Sequence, residues 1–263
     1  MIPKNPKPMI GMLHAPALAG SPSYQGGWNK VLPFILKDAE SLTRGGVDAL
    51  MIENYGDLPF FPDCVPPETV AQLAVLARTV KKTFKLPLGI NVLRNDGSAA
   101  LAIAKASGAD FIRVNILTGA RLTDQGIIQG KAHELMRFRK KIDASHIQVF
   151  ADVAVKYSSS LSERTLEAEV EETLHRSGAD GLIVSGAGTG KPVDLERLKT
   201  VKKMASSTPV WIGSGVTVEN IDELSPFADG FIVGSSLKPS LEAPIEEQRV
   251  KKLVERLRRG RLI

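Results

Sequence analysis

Pro209-Val-Trp-Ile-Gly-Ser-Gly-Val216 and, after a short polar connection, Ala228-Asp-Gly-Phe-Ile-Val-Gly-Ser-Ser-Leu-Lys238 decide how this chain is read. Two apolar runs, 210–212 and 231–233, each stop on glycine and serine. Short apolar runs of this kind, ended by Gly, predict parallel strands buried on both faces. The turns that follow, Gly213-Ser214-Gly215 and Gly234-Ser235-Ser236, are small and rich in backbone N–H groups able to cradle an anion. In (β/α)8 barrels the phosphate site is commonly built by the loops after strands 7 and 8. Tight strand-to-helix turns also favour Gly and Ser. Two such turns in tandem near the end of the chain favour phosphate.

Working outward, the same pattern recurs. Gly45-Gly46-Val47-Asp48, Ser107-Gly108-Ala109-Asp110 and Ser177-Gly178-Ala179-Asp180 each precede an apolar run, and Phe227-Ala228-Asp229 is a fourth copy without the leading Gly. Each begins where a helical pattern ends, with Gly available for a left-handed cap. They mark the starts of strands 2, 4, 6 and 8. The odd strands fall between them, at 9–14, 87–93, 148–156 and 209–213. Helical stretches are expected at 29–44, 67–83, 97–107, 131–142, 162–177, 194–204, 218–224 and 246–260, with Ser162 and Asp194 as N-caps. Strict βα alternation predicts one closed α/β barrel, a single (β/α)8 TIM-barrel domain over residues 1–263. A doubly wound sheet is the alternative, but no G-x-G-x-x-G follows the first strand. The connections at 15–28, 56–66 and 117–130 are long, as lids and specificity loops are.

Composition narrows the classes of function. With 43% hydrophobic and 24% charged residues the chain reads as an ordinary soluble protein. The net charge of +5 is modest, and no aromatics interleave with the basic residues of the last helix (Arg249 to Arg261), which argues against nucleic acid. Cys64 is the only cysteine, so a reducing, cytoplasmic setting is expected and no Cys-based metal site is available. The N-terminus, M-I-P-K-N-P-K-P, lacks the apolar core of a signal peptide. No run approaches the roughly 18 apolar residues of a membrane span.

Polar residues at the ends of barrel strands are the candidate site. His14 ends strand 1, and Glu53 ends an apolar strand 2; both are acid/base candidates. Strand 3 offers Asn91 and, just past its end, Arg94, while Asp96 reads as a helix cap. Arg113 and Asn115, two apart on strand 4, share a face. Arg113 either pairs with Glu53 or Asp152 or meets a ligand anion. On strand 5, Asp152, Ala154 and Lys156 alternate with valines, placing acid and amine on one face about 13 Å apart. Lys156 is a Schiff-base nucleophile or an anion clamp. Ser185 and Thr189 belong to the loop Ser185-Gly-Ala-Gly-Thr-Gly-Lys-Pro192, whose spacing and Lys-Pro step rule out a Walker motif. His14, Glu53 and Asp152 form an N/O set of the kind that suits a divalent ion, but no contiguous metal motif supports it.

These pieces together resemble the BtpA/SgcQ family: G-M-L-H-A-P at 11–16, M-I-E-N at 51–54, N-V-L-R-N-D at 91–96, A-D-V-A-V-K at 151–156, V-S-G-A-G-T-G-K-P at 184–192, I-G-S-G-V-T-V-E-N at 212–220 and A-D-G-F-I-V-G-S-S-L-K at 228–238. The resemblance implies a barrel similar to phosphate-binding TIM barrels, and membrane-complex (photosystem I) biogenesis in some organisms; it assigns no catalytic roles. Two functions are therefore expected. One is an enzyme of isomerase or lyase type on a phosphorylated sugar or nucleotide-like molecule. It would use His14, Glu53, Asp152 and Lys156 for catalysis, Asn91, Arg94, Arg113, Asn115, Ser185 and Thr189 for substrate, and Gly213, Ser214, Gly215, Gly234, Ser235 and Ser236 for phosphate. The other is a non-catalytic assembly factor. For that, the last helix offers an apolar stripe (Val250, Leu253, Val254, Leu257) backed by basic residues, suited either to an anionic membrane surface or to docking on the barrel. A homo-oligomer is expected, and no cofactor is specified.

Overall fold

In the computed structural model, which describes residues 7–259, the repeated aspartate explains the repeat. Eight strands, β1 (Met9–His14), β2 (Ala49–Glu53), β3 (Leu88–Asn91), β4 (Phe111–Val114), β5 (Gln148–Val153), β6 (Gly181–Val184), β7 (Val210–Ile212) and β8 (Gly230–Val233), pair in chain order. They close into a barrel through β8 and β1, and every pairing is parallel. Asp48, Asp110, Asp180 and Asp229 each stand one residue before an even strand. Their carboxylates accept the amides of Met9, Leu88, Val149 and Val210 at 2.8–2.9 Å. Their own amides donate back to the carbonyls of the same four residues. Each copy therefore pins an even strand to the odd strand before it, at the N-terminal face of the barrel, where such residues serve stability.

Eight helices surround the barrel: α1 (Trp28–Gly45), α2 (Pro67–Phe84), α3 (Gly97–Ser107), α4 (Ala132–Lys141), α5 (Leu166–Arg176), α6 (Leu195–Met204), α7 (Ile221–Leu224) and α8 (Glu247–Arg259). Gly46 and Gly108 take the left-handed cap position, with φ of 90° and 79°. Asp96 and Asp194 cap α3 and α6 as expected, accepting from Ala99 and Arg197 at 2.8 and 2.9 Å. The cap of α5 is Thr165 rather than Ser162, and its hydroxyl accepts from Ala168. The end of the expected last helix, with Arg261, and residues 1–6 of the N-terminal lysine–proline segment lie outside the described residues.

Among the described residues two large hydrophobic cores form, with a small third cluster of Ile116, Ile128 and Val155 under the outer hairpin. The larger fills the space between strands and helices. The smaller sits inside the barrel and includes Met12, Met51, Phe111, Phe150, Trp211 and Ile232. Gly230 is required beside Trp211, because a Cβ there would lie 2.2 Å from the indole ring.

Strand 5 stops at Val153, not Lys156. Ala154 and Tyr157 adopt positive φ of 48° and 55°, so the chain leaves the sheet while the apolar alternation still continues. The loop at 117–130 is not irregular. Its segments Ala120–Thr123 and Gly126–Gln129 form an antiparallel hairpin, joined by Ser158–Ser160 into a three-stranded sheet outside the barrel. Arg121 fastens this sheet: it donates to Ser158 Oγ at 2.6 Å and pairs with Glu169 Oε2 on α5 at 2.8 Å. Glu169 Oε1 in turn accepts the amide of Ala154 at 2.7 Å, which fixes the exit of β5.

Candidate active site

The C-terminal rim of the barrel carries a charged floor with a narrow pocket above it. In the floor, Arg113 donates from Nε and Nη2 to the two carboxylate oxygens of Asp152 at 3.0 and 2.9 Å. Asn115 Nδ2 reaches Asp152 Oδ2 at 3.1 Å, and Arg113 Nη2 reaches Ser185 Oγ at 3.3 Å. Asn91 ties in through the carbonyl of Arg113 and Oδ1 of Asn115. All five side chains are buried. Burial opposes the charge of Arg113, but Asp152 outweighs it and holds the guanidinium pKa above its ordinary value. Asp152 is thus a buried counter-ion with both oxygens occupied, rather than a free acid/base. Strand geometry dictated this: Arg113 is in register with Phe150 on the adjacent strand, and Asp152, two residues further on, points to the same face.

The pocket above is lined by His14, Glu53, Arg113, Lys156 and Thr189, and by the backbone of residues 213–216 and 233–236. Glu53 is 5% exposed, and its carboxylate accepts no hydrogen bond among the described residues. His14 Nε2 lies 3.9 Å from Glu53 Oε1. Desolvation, reinforced by Lys238, Lys156 and Arg113, drops the imidazole pKa to about 3, so His14 is neutral at pH 7 and this contact is not an ion pair. Its ring packs on Tyr55 at 4.7 Å. Lys156 is held below the ordinary lysine range by burial first and then by Arg113. Its ammonium meets only Thr189 Oγ1, at 3.4 Å, among the described residues.

The two Gly/Ser turns converge on this pocket. Among the described residues, the amides of Ser214, Gly215, Gly234, Ser235 and Ser236 make no hydrogen bond. Gly213, expected to join them, donates its amide to Val184 O at 2.8 Å. Its lack of a side chain is what matters, since a Cβ there would sit 2.6 Å from Ser185 Oγ and 3.2 Å from Arg113 Nη2. The Ser214 hydroxyl accepts from the amide of Gly186 at 3.0 Å, and the Ser236 hydroxyl donates to Val216 O at 2.7 Å. Both side chains therefore fix the turns, and the turns line the pocket with their amides uncommitted among the described residues.

Arg94 lies apart from this pocket, beside a second cavity with Tyr55, Phe60, Asp124 and Tyr157. Asn54 places it, accepting from the amide of Leu93 at 2.7 Å and donating to its carbonyl at 3.3 Å. Tyr55 and Tyr157 follow directly on Asn54 and Lys156, and that position just past a strand end was the available signal for them. The tyrosine hydroxyl of Tyr157 accepts the amide of Thr189 at 2.8 Å, tying down the Gly-rich loop. Among the described residues, no group of three or more His, Cys, Asp or Glu is arranged to hold a metal ion. The set of His14, Glu53 and Asp152 fails because Arg113 and Asn115 occupy the carboxylate of Asp152.

Fold and rim together define a (β/α)8-barrel protein with a polar pocket at the C-terminal mouth. The chain belongs to the BtpA family, whose profile matches residues 5–259. An uncharacterised protein of Thermococcus kodakarensis is 47% identical over 95% of this chain and 94% of its own length. The photosystem I biogenesis protein BtpA of a Synechocystis strain is 41% identical over 96% of this chain and 88% of its own length. Among solved structures, N-(5'-phosphoribosyl)anthranilate isomerase of Pyrococcus furiosus superposes with a TM-score of 0.61 at 14% identity, covering 96% of this chain and 99% of its own. Orotidine 5'-monophosphate decarboxylase of Methanocaldococcus jannaschii gives 0.59 at 18% identity, covering 96% and 98%. Both share the fold. No described helix is long and apolar enough to cross a membrane.

Proposed function

We propose that this chain binds a phosphorylated small molecule at the barrel mouth and acts on it by acid–base chemistry of isomerase or lyase type. The observation that carries this is the group of five unpartnered amides, at Ser214, Gly215, Gly234, Ser235 and Ser236, which share a pocket with Lys156. Unpartnered backbone amides on two turns lining one pocket, with a cation beside them, suit a phosphate dianion. The position after strands 7 and 8 is where barrel enzymes commonly bind phosphate, and the two structural neighbours above are named for phosphorylated compounds. Glu53, whose carboxylate accepts no hydrogen bond among the described residues, is the proton acceptor. Lys156 clamps the anion or, being desolvated, attacks a carbonyl as an amine. Arg113 supplies fixed positive charge beneath, with Asp152, Asn91, Asn115 and Ser185 as positioning residues.

Thermal-shift measurement against sugar phosphates and nucleotides tests the proposal. Stabilisation by a phosphorylated compound but not its dephosphorylated form is expected, and no shift with any of them at millimolar concentration would overturn it. Borohydride trapping separates imine chemistry at Lys156 from a simple clamp.

A second reading, a non-catalytic assembly factor, draws on the Synechocystis relative, a photosystem I biogenesis protein. Of the two uses expected for the stripe on α8, its burial supports docking on the barrel: Val250, Leu253, Val254 and Leu257 are at most 5% exposed and belong to the core. Homo-oligomerisation is retained as part of the proposal, with Leu122, Ile127 and Leu161 as exposed apolar contacts on and beside the outer sheet, and sedimentation velocity as its check. A cytoplasmic setting accords with the free Cys64.

A further inference from the structure

We propose that the ligand of this pocket carries, besides its phosphate, a planar heterocyclic ring of nucleobase size, seated in the cavity between Tyr55, Phe60 and Tyr157. This deepens the phosphate reading and rests on it. The cavity measures about 500 Å³, within the range of roughly 300–1,000 Å³ of small-molecule sites. Aromatic residues make up only 5% of the chain, yet three of them ring this one cavity, and Tyr157 is 54% exposed. Aromatic faces left open around a cleft are stacking platforms for planar rings.

The polar groups define the edge of that ring. Arg94 lines the cavity and is 3% exposed. Among the described residues the only hydrogen bond of its side chain runs from Nη2 to Lys156 O, its Nε has no partner, and its guanidinium has no ion pair. A buried guanidinium left this way calls for an acceptor on the ligand. Asp124 lines the same cavity. A second phosphate or carboxylate would meet repulsion from Asp124, whereas the edge of a nucleobase offers an acceptor to Arg94 and a donor to Asp124. Thr189 lines both cavities, and Arg94 is bonded to the backbone of Lys156, whose side chain lines the phosphate pocket. One ligand therefore spans the two.

Isothermal titration tests this with inorganic phosphate, ribose 5-phosphate and the 5'-monophosphates of uridine, cytidine, adenosine and guanosine. At least one nucleotide is expected to bind tenfold or more tightly than ribose 5-phosphate. Phe60→Ala and Tyr55→Leu should each erase most of that gain while leaving ribose 5-phosphate affinity within about twofold. If ribose 5-phosphate binds and no nucleotide improves on it, the ring seat is overturned and the phosphate reading stands. If no phosphorylated compound binds, both fall.

Discussion

Asp152→Ala separates a structural from a catalytic carboxylate at the floor of the barrel. The substitution removes three hydrogen bonds, two from Arg113 and one from Asn115. It also leaves a guanidinium that is 2% exposed without its counter-ion. Breaking a buried pair by deleting one partner costs about 3–5 kcal/mol, whereas replacing both partners by apolar groups of similar volume is often neutral. Total stability for a domain is on the order of 5–15 kcal/mol, so Asp152→Ala removes a large share of it. Equilibrium urea unfolding of Asp152→Ala, Arg113→Met and the double variant Arg113→Met/Asp152→Leu gives the numbers. The expected pattern is a loss of about 3–5 kcal/mol in Asp152→Ala and a smaller loss in the double variant than in that single one. A cost under about 1 kcal/mol for Asp152→Ala would refute the assignment, because a buried ion pair so readily dispensed with is not what holds Arg113.

The remaining expectations touch other parts of the molecule. Glu53→Gln should leave unfolding free energy within about 0.5 kcal/mol, since its carboxylate accepts no hydrogen bond among the described residues. Turnover of a substrate found by the ligand screen should fall roughly 10²–10⁴-fold. His14 has a native pKa of about 3 against an ordinary 6.5, so the unfolded chain takes up a proton that the native protein refuses. Stability therefore falls as pH drops from 6.5 toward 3, and His14→Gln should flatten that limb in urea titrations; NMR should find the His14 imidazole neutral at pH 5. Asp180→Ala strands the amide of Val149. It should cost about 1–3 kcal/mol in urea unfolding without altering phosphate affinity.

Much of the fold was legible because it is written locally. The aspartates at 48, 110, 180 and 229 recur with the period of the barrel, and each makes the same pair of bonds to the strand before it. What was not legible depends on neighbours distant in the chain. The run Ala154-Val155-Lys156 keeps a strand's alternation, yet the chain leaves the sheet at Val153 because Glu169 on α5 captures the amide of Ala154. The outer sheet depends on the same long-range contact through Arg121. At the site, His14 and Glu53 line the pocket from the ends of β1 and β2, whereas Lys156 lines it from the loop three residues past the end of β5. Asp152 shares their position, but Arg113 on the adjacent strand occupies it, and one strand's pattern cannot show its partner's. Gly213 lies in the turn that forms the cradle, but parallel pairing with β6 takes its amide.

The central claim is that free amides after β7 and β8 hold a phosphate, and diffraction from crystals grown with ribose 5-phosphate tests it most directly. A tetrahedral group with its oxygens about 3 Å from the amide nitrogens of Gly215 and Ser235 is predicted. Those amides engaged with other protein groups, or the phosphate bound elsewhere on the molecule, would contradict it.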